Sequence, residues 1–351
     1  MSLDAQARRA AAAVHDSAEE VDPVGRLRDL GALERRRART QVALAVVVLL
    51  GLVAAGLLLV SRRDLPVVGP LPSRATIHVG QQPTTVVLGQ GAVWVANKLD
   101  NSVSRIDPKT NRVVATIPVA DGVADLAVGR DAVWTGGDRR GVARVVRIDP
   151  RTNRVVATVP VGSQPSGLAA TDDAVWVASV VDGTITRIDP RTNQVVATIH
   201  TGGRPVHVAA DDGAVWVAYP QDNLVRRIDP QVNRAVATLR VAQPQDVALG
   251  FGSVWVPSGR SRTVVRIDAQ TNTATSSIRV AGKPNGIAVD AGAVWVKQSD
   301  PSSVQRINPQ INTVTATVPV ASGLYGLAVD DHSLWSVEFL GDTVTRLQLP
   351  K

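Results

Sequence analysis

Two apolar patterns divide the chain. One is a single unbroken run, Gln41–Val60 (QVALAVVVLLGLVAAGLLLV), polar only at its first residue. Twenty residues at helical rise span about 30 Å, the hydrocarbon thickness of a bilayer. A helix with no polar stripe has no face to give to water, so the run predicts a transmembrane helix. The other pattern begins near residue 74 and recurs to the end. It consists of short stretches rich in Val, Ala and Ile, separated by turn residues, and it predicts strands.

The strand pattern has a period. Trp94, Trp134, Trp176, Trp216, Trp255, Trp295 and Trp335 stand 39 to 42 residues apart, and they are all the tryptophans of the chain. Each repeat holds four strand signals, here a, b, c and d. In the third repeat they are Gly167–Thr171, Ala174–Ala178, Thr184–Asp189 and Val195–His200. Between c and d lies Asp189-Pro190-Arg191-Thr192-Asn193, which recurs from Asp107, Asp149 and Asp229 and in altered form from Asp268 and Asn308. Proline presets φ for a turn and Asn tolerates the left-handed region. Strand b (AVWVA) is apolar on both faces, so both faces must be covered by neighbouring repeats.

The ends of the chain distinguish a ring from an open stack. After Trp335 comes strand c, Thr343–Leu349, with no d strand behind it. The missing segment stands at the front, where Arg74–Gly80 matches Val113–Ala120 and Val155–Gly162. The fold class expected is therefore all-β: a seven-bladed β-propeller of four-stranded blades, closed by an N-terminal strand that completes the last blade, and preceded by one transmembrane helix. The domains read as a basic, helical cytoplasmic tail (1–40), the signal-anchor helix (41–60), a Pro-rich linker (61–73) and the propeller (74–351). Within the tail, Leu3–Val21 and Arg26–Arg39 predict two helices broken at Asp22-Pro23.

Charge sets the orientation. Six arginines from Arg26 to Arg39 precede the span, and Arg62, Arg63 and Arg74 follow it. That excess places the N-terminus in the cytoplasm and the propeller outside. A leader of 40 residues is too long for a cleaved signal peptide. The net charge of +7 does not predict a nucleic-acid partner, because residues 65–351 carry 28 Lys and Arg against 23 Asp and Glu and most of these arginines recur once per repeat. The absence of Cys excludes disulfides, thiolate metal sites and a thiol nucleophile.

The repeat resembles the YVTN-type (YncE-like) bacterial propellers. The residues that carry the resemblance are Val93–Asn97 (VWVAN), Asn101–Asp107 (NSVSRID), Thr110–Val119 (TNRVVATIPV) and Val161–Pro165 (VGSQP), and it covers about residues 74–351. More distantly, the Gly-Pro and Val-Trp repeats are similar to the virginiamycin B lyase propellers. The first resemblance implies a bacterial cell-envelope protein. The second implies lyase chemistry carried by a His and an acid on the rim.

What recurs in every blade is architecture, so function is sought where blades depart. The tryptophans, and Arg105 with its six counterparts, are expected to be structural, each Arg sharing a strand face with the Asp, Asn or Gln two residues on. Nine residues before each Trp stand Thr85, Asp125, Gly167, His207, Asp246, Gly286 and Gly326. Asp125, His207 and Asp246 depart; they form a weak metal candidate, and His207 with Asp246 or Glu338 a general-base candidate. Tyr219, Lys297, Gln298, Tyr325 and Glu338 complete the expected ligand-binding rim. A second rim His is lacking, and no Gly-x-Ser-x-Gly elbow, His-Glu-x-x-His or P-loop occurs. The Gly136–Gly141 insertion of blade 2 is expected to be a projecting b–c loop. The function expected is a membrane-anchored, non-enzymatic binding or sensing module. It needs no cofactor, takes a protein or cell-envelope ligand at the rim, and leaves residues 1–40 for a cytoplasmic partner. The alternative is a lyase or hydrolase of the virginiamycin B lyase type.

Overall fold

The structure, a computed structural model, describes residues 74–120, 122–139, 141–290, 292–320 and 323–349. The expected tail, span and linker lie outside the described residues, among which no helix is long and apolar enough to cross a membrane. The described chain forms seven four-stranded antiparallel sheets, each in the order a-b-c-d. Blade 1 is Pro83–Gly89, Ala92–Asn97, Ser102–Asp107 and Arg112–Pro118. In the seventh sheet Leu324–Val329, Ser333–Glu338 and Thr343–Gln348 are followed by Arg74–His78, with Arg74 opposite Leu347 and His78 opposite Thr343.

Burial follows the position of each strand in its blade. Every residue of Ala92–Asn97, the b strand of blade 1, is buried, whereas its outer d strand alternates between exposed and covered positions. The core is split into seven apolar clusters, and each joins two adjacent blades. Trp94 packs with Val133 and Ile148 of blade 2. The ring is continuous through the last junction, where Trp335 and Val337 pack with Val86, Val93 and Ile106 of blade 1.

One difference concerns the arginines. They were expected to form ion pairs with the acidic residue two positions on or to stand at solvated strand ends, and no ion pair with that residue is formed among the described residues. Each lies directly across from the Trp of its own blade, as Trp94 does from Arg105. That register lays the guanidinium over the indole at 4.8–6.0 Å in blades 1, 2, 3, 5, 6 and 7. In blades 1, 2, 3, 5 and 7 the same guanidinium then donates into the c–d turn of the next blade, whereas Arg306 of blade 6 donates to Thr315 and Gly292 of its own blade. Arg105 reaches the Pro150 carbonyl at 2.7 Å and Asn153 Oδ1 at 2.9 Å. Arg187 reaches Pro230 and Asn233, Arg266 reaches Pro309 and Asn312, and Arg346 reaches back to Pro108 and Asn111 of blade 1.

The turn is built to receive it. Asn111, Asn153, Asn193, Asn233, Asn272 and Asn312 all have φ of 50–58°. Glycine would suit that backbone, but only Asn also supplies an acceptor. The Asp that opens the turn caps it instead: Asp107 Oδ1 accepts from the Lys109 N–H at 2.8 Å, and such bonds hold the Asp107, Asp149, Asp189 and Asp268 carboxyls below the usual range.

A second difference lies in blade 2. The expected loop is instead a longer hairpin, in which strands Val133–Arg139 and Val142–Asp149 pair out to Arg139 opposite Val142. Backbone hydrogen bonding extends the ladder because nothing in Gly136–Arg139 terminates it.

The clasp predicts graded stabilities. Arg187→Ala removes two charge-assisted hydrogen bonds and a cation–π contact, and should lower unfolding free energy by about 2–4 kcal/mol. Arg227 faces a turn with Ala269 in place of Pro, and neither its Nε nor Asn272 Oδ1 has a partner. Arg227→Ala should change stability by less than about 1 kcal/mol. Urea unfolding of the two variants beside the parent checks the difference; equal losses would mean that the clasp carries no stability.

Candidate functional site

The inner a strands start at one mouth of the ring, and their first residues line a cavity of about 690 Å³ together with Lys297 and Ser299 at the end of the blade 6 b strand. Pairing is interrupted there by β-bulges. The ladder passes from Pro83 to Thr85, from Pro284 to Gly286 and from Leu324 to Leu327. Thr84, Asn285 and Tyr325, left out of the ladder, lie on the cavity wall.

Glycine at the next position lets neighbouring blades approach. A Cβ on Gly167 would fall 2.3 Å from the Val206 carbonyl of blade 4, and one on Gly326 would fall 2.8 Å from the Val86 nitrogen of blade 1. Where this position is not glycine, the side chain bonds the neighbouring blade. Asp125 Oδ2 accepts from the Leu168 N–H at 2.9 Å, and Asp246 Oδ2 accepts from the Ile287 N–H at 3.1 Å.

Four ionisable groups therefore share the cavity: Asp125, His207, Asp246 and Lys297. His207 Nδ1 lies 3.7 Å from Asp246 Oδ1, an ion pair when the imidazole is protonated. Burial pushes the Asp125 carboxyl above its ordinary value, against the pull of the Leu168 N–H and of His207. Lys297 is 5% exposed and donates through Nζ to the Leu324 and Tyr325 carbonyls of blade 7. Burial lowers it to about 8, with Asp246 pulling in the opposite direction. A Cβ on Gly286 would fall 2.9 Å from Lys297 Cε, so that glycine makes room for the lysine.

The sequence-derived rim residues separate into two groups. Asp125, His207, Asp246, Lys297 and Tyr325 line the cavity. Tyr219, Gln298 and Glu338 are not among its lining residues. Tyr219 is fully buried between blades 3 and 4 with the Arg226 guanidinium 4.9 Å over its ring, and burial raises its hydroxyl. Gln298 accepts from the Gly282 N–H and donates to Ser303, fastening its own blade. Glu338 accepts from Arg74 at 3.1 Å and from Thr345 at 2.7 Å, so it does not partner His207. Among the described residues no three acidic or His groups are set to hold a metal. The reason is local: Asp125 is committed to a backbone N–H of the next blade, and Asp246 to the Val247 and Ile287 N–H groups.

Two features escaped the sequence reading. Asn285 is the bulged residue beside Lys297, and only the register reveals it. Phe339 stacks on Tyr325 with centroids 4.6 Å apart and planes 27° apart. The signal was present in Phe339-Leu340, an apolar pair in a b–c connection that is polar at Gln221-Asp222 of blade 4.

Comparison with known proteins supports the architecture. No family model matches the chain, and no curated protein matches it. Solved structures match in number, 1310 chains, so the fold is too widespread to specify an activity. A streptogramin B lyase structure is 16% identical with a TM-score of 0.67, covering 78% of this chain and 96% of that one. The structure of U3-55K is 14% identical with a TM-score of 0.68, covering 80% and 100%. At these identities the likeness shows the fold alone.

Lys297 yields a pH prediction. Its folded value is about 8 against an ordinary 10.5, so between those pH values the unfolded chain holds the extra proton and stability rises with pH. The whole shift corresponds to about 3 kcal/mol, offset in part by the two carbonyl contacts. Lys297→Met should raise stability at pH 7 by roughly 1–3 kcal/mol and remove that part of the rise between pH 8 and 10.5. Urea unfolding of parent and variant across this range measures both; a destabilised variant with the slope intact would refute the assignment.

Proposed function

We propose that the chain is a single-pass, membrane-anchored propeller of the bacterial cell envelope that binds a ligand at its channel mouth without transforming it. Residues 41–60 are the anchor, residues 1–40 stay in the cytoplasm, and the linker 61–73 leads into Arg74–His78, which closes the ring as the outer strand of the last blade. The observation that carries the binding reading is the state of the cavity's ionisable groups. The cavity is large enough for a small-molecule or peptide ligand, within the ~300–1,000 Å³ usual for such sites. Yet both carboxylates accept backbone hydrogen bonds across blades, and Lys297 is engaged by blade 7. Groups committed in this way shape and polarise a site more readily than they transfer protons.

A second reading is favoured by one contact. His207, about two-fifths exposed and 3.7 Å from Asp246, is the residue a lyase or hydrolase would use as a general base. The two readings separate when the full-length chain is incubated with fractionated envelope extract and the bound component is recovered. Binding without turnover expects that component at unchanged mass. A changed mass that is lost in His207→Ala overturns the non-enzymatic reading.

Topology has its own test. The chain contains no Cys, so one introduced Cys reports alone. Leu340 is 88% exposed, and Leu340→Cys should react with a membrane-impermeant maleimide on intact cells. Ser2→Cys should react only after permeabilisation. The reverse labelling pattern would overturn the orientation.

A further inference from the structure

We infer that the channel-mouth cavity takes a ring of an uncharged carbohydrate, stacked on Tyr325 and hydrogen-bonded by Asn285. This rests on reading the cavity as a ligand site and names the class of ligand. The first observation is the aromatic surface. All seven tryptophans and Tyr219 are buried, whereas Tyr325 is 52% exposed on the cavity wall. Its ring is backed by Phe339, and its backbone carbonyl is held by Lys297, whose ammonium lies 5.9 Å from the ring centroid. A half-exposed ring backed by Phe339 beside a polar-lined cavity offers a flat apolar face, which the C–H face of a pyranose complements.

The second observation is the kind of polar group around that ring. Asn285 and Tyr325 occupy the corresponding bulge position in adjacent blades. Asn285 is exposed on the cavity wall, and its carboxamide has no hydrogen-bond partner among the described residues. One carbonyl and one NH2 on the same side chain match a pair of neighbouring hydroxyls, each able to donate and accept. Thr84, Gln245 and Ser299 add further hydroxyl and amide groups to the wall.

The third observation is charge balance. Blades 2, 4, 5 and 6 bring ionisable groups of both signs to the wall, in the order Asp125, His207, Asp246, Lys297. An anionic ligand would approach two carboxylates, and a cationic one would approach a buried ammonium. An uncharged polyol meets neither opposition, and it finds acceptors and donors on every side.

Isothermal titration and saturation-transfer NMR test this on the full-length chain in a detergent without a sugar headgroup. The probes are maltotriose, cellotriose and triacetylchitotriose, with tri-galacturonate and trialanine as charged and non-sugar comparisons. At least one neutral trisaccharide should bind, with saturation strongest at one ring. Tyr325→Ala should weaken it about tenfold or more, Tyr325→Phe by less than about threefold, and Glu338→Gln not at all, with thermal melts showing that each variant is folded. Failure of all three neutral sugars, affinity unchanged in Tyr325→Ala, or tighter binding of tri-galacturonate would each overturn the inference. In that event, tri-galacturonate or trialanine binding that is lost in His207→Ala would preserve the cavity as a ligand site while rejecting carbohydrate. Recovery of no bound component from envelope extract would reject the site itself.

Discussion

An arginine lying on the tryptophan of its own blade, with its far nitrogen in the turn of the next, is the contact around which this ring is organised. Neither half suffices alone. The indole gives the guanidinium an apolar, electron-rich bed from which its stem need not move, and a pre-positioned donor loses less freedom when it bonds. The turn offers a carbonyl and an Asn side chain at the right angle because that Asn sits in the left-handed region. Apolar packing between blades supplies most of the driving force. It is nondirectional, however, and would tolerate blades sliding past one another. At five of the seven junctions the clasp fixes where the neighbouring blade stops, and Arg346 extends it across the junction that joins the last blade to the first.

The same principle governs the channel. There the blades converge, backbone meets backbone at Gly167 and Gly326, and several polar side chains of strands a and b find a partner on the neighbouring blade. Ser166 donates to the Val206 carbonyl, Asp125 and Asp246 accept from N–H groups, and Lys297 donates to blade 7. The cavity's charged residues are thus parts of the ring's inner seam as well as its chemical lining. A ligand at the mouth would contact residues from several blades at once, and its binding energy would be coupled to how tightly those blades are joined.

Departure from the repeat was an uneven guide to the site. It led to cavity-lining residues at Asp125, His207, Asp246 and Tyr325, because the start of strand a faces the channel, and at Lys297, because the end of the blade 6 b strand does too. At three residues after Trp, still within strand b and paired with strand c, it led to residues outside the cavity lining. There Gln298 and Glu338 turn to their own blade's loop and to Arg74, and Tyr219 turns into an inter-blade core. A side chain of any size at that position is captured by the nearest partner, and periodicity along one strand does not show which partner that is.

Sequence alone determined the number of blades, the strands within them, the turn chemistry and the residues of the core, because each follows from a local period or a local φ preference repeated seven times. Repetition averages out the ambiguity that a single short strand would carry. Tertiary structure alone decided that most of the recurring arginines clasp the next blade instead of the acid two residues on. It also decided that the blade 2 insertion lengthens a hairpin, that Asn285 is lifted from its ladder by a bulge, and that Phe339 lies under Tyr325. Each of these depends on which atoms of different strands or blades come within about 3–6 Å, a distance set by curvature and register and carried by no stretch of sequence.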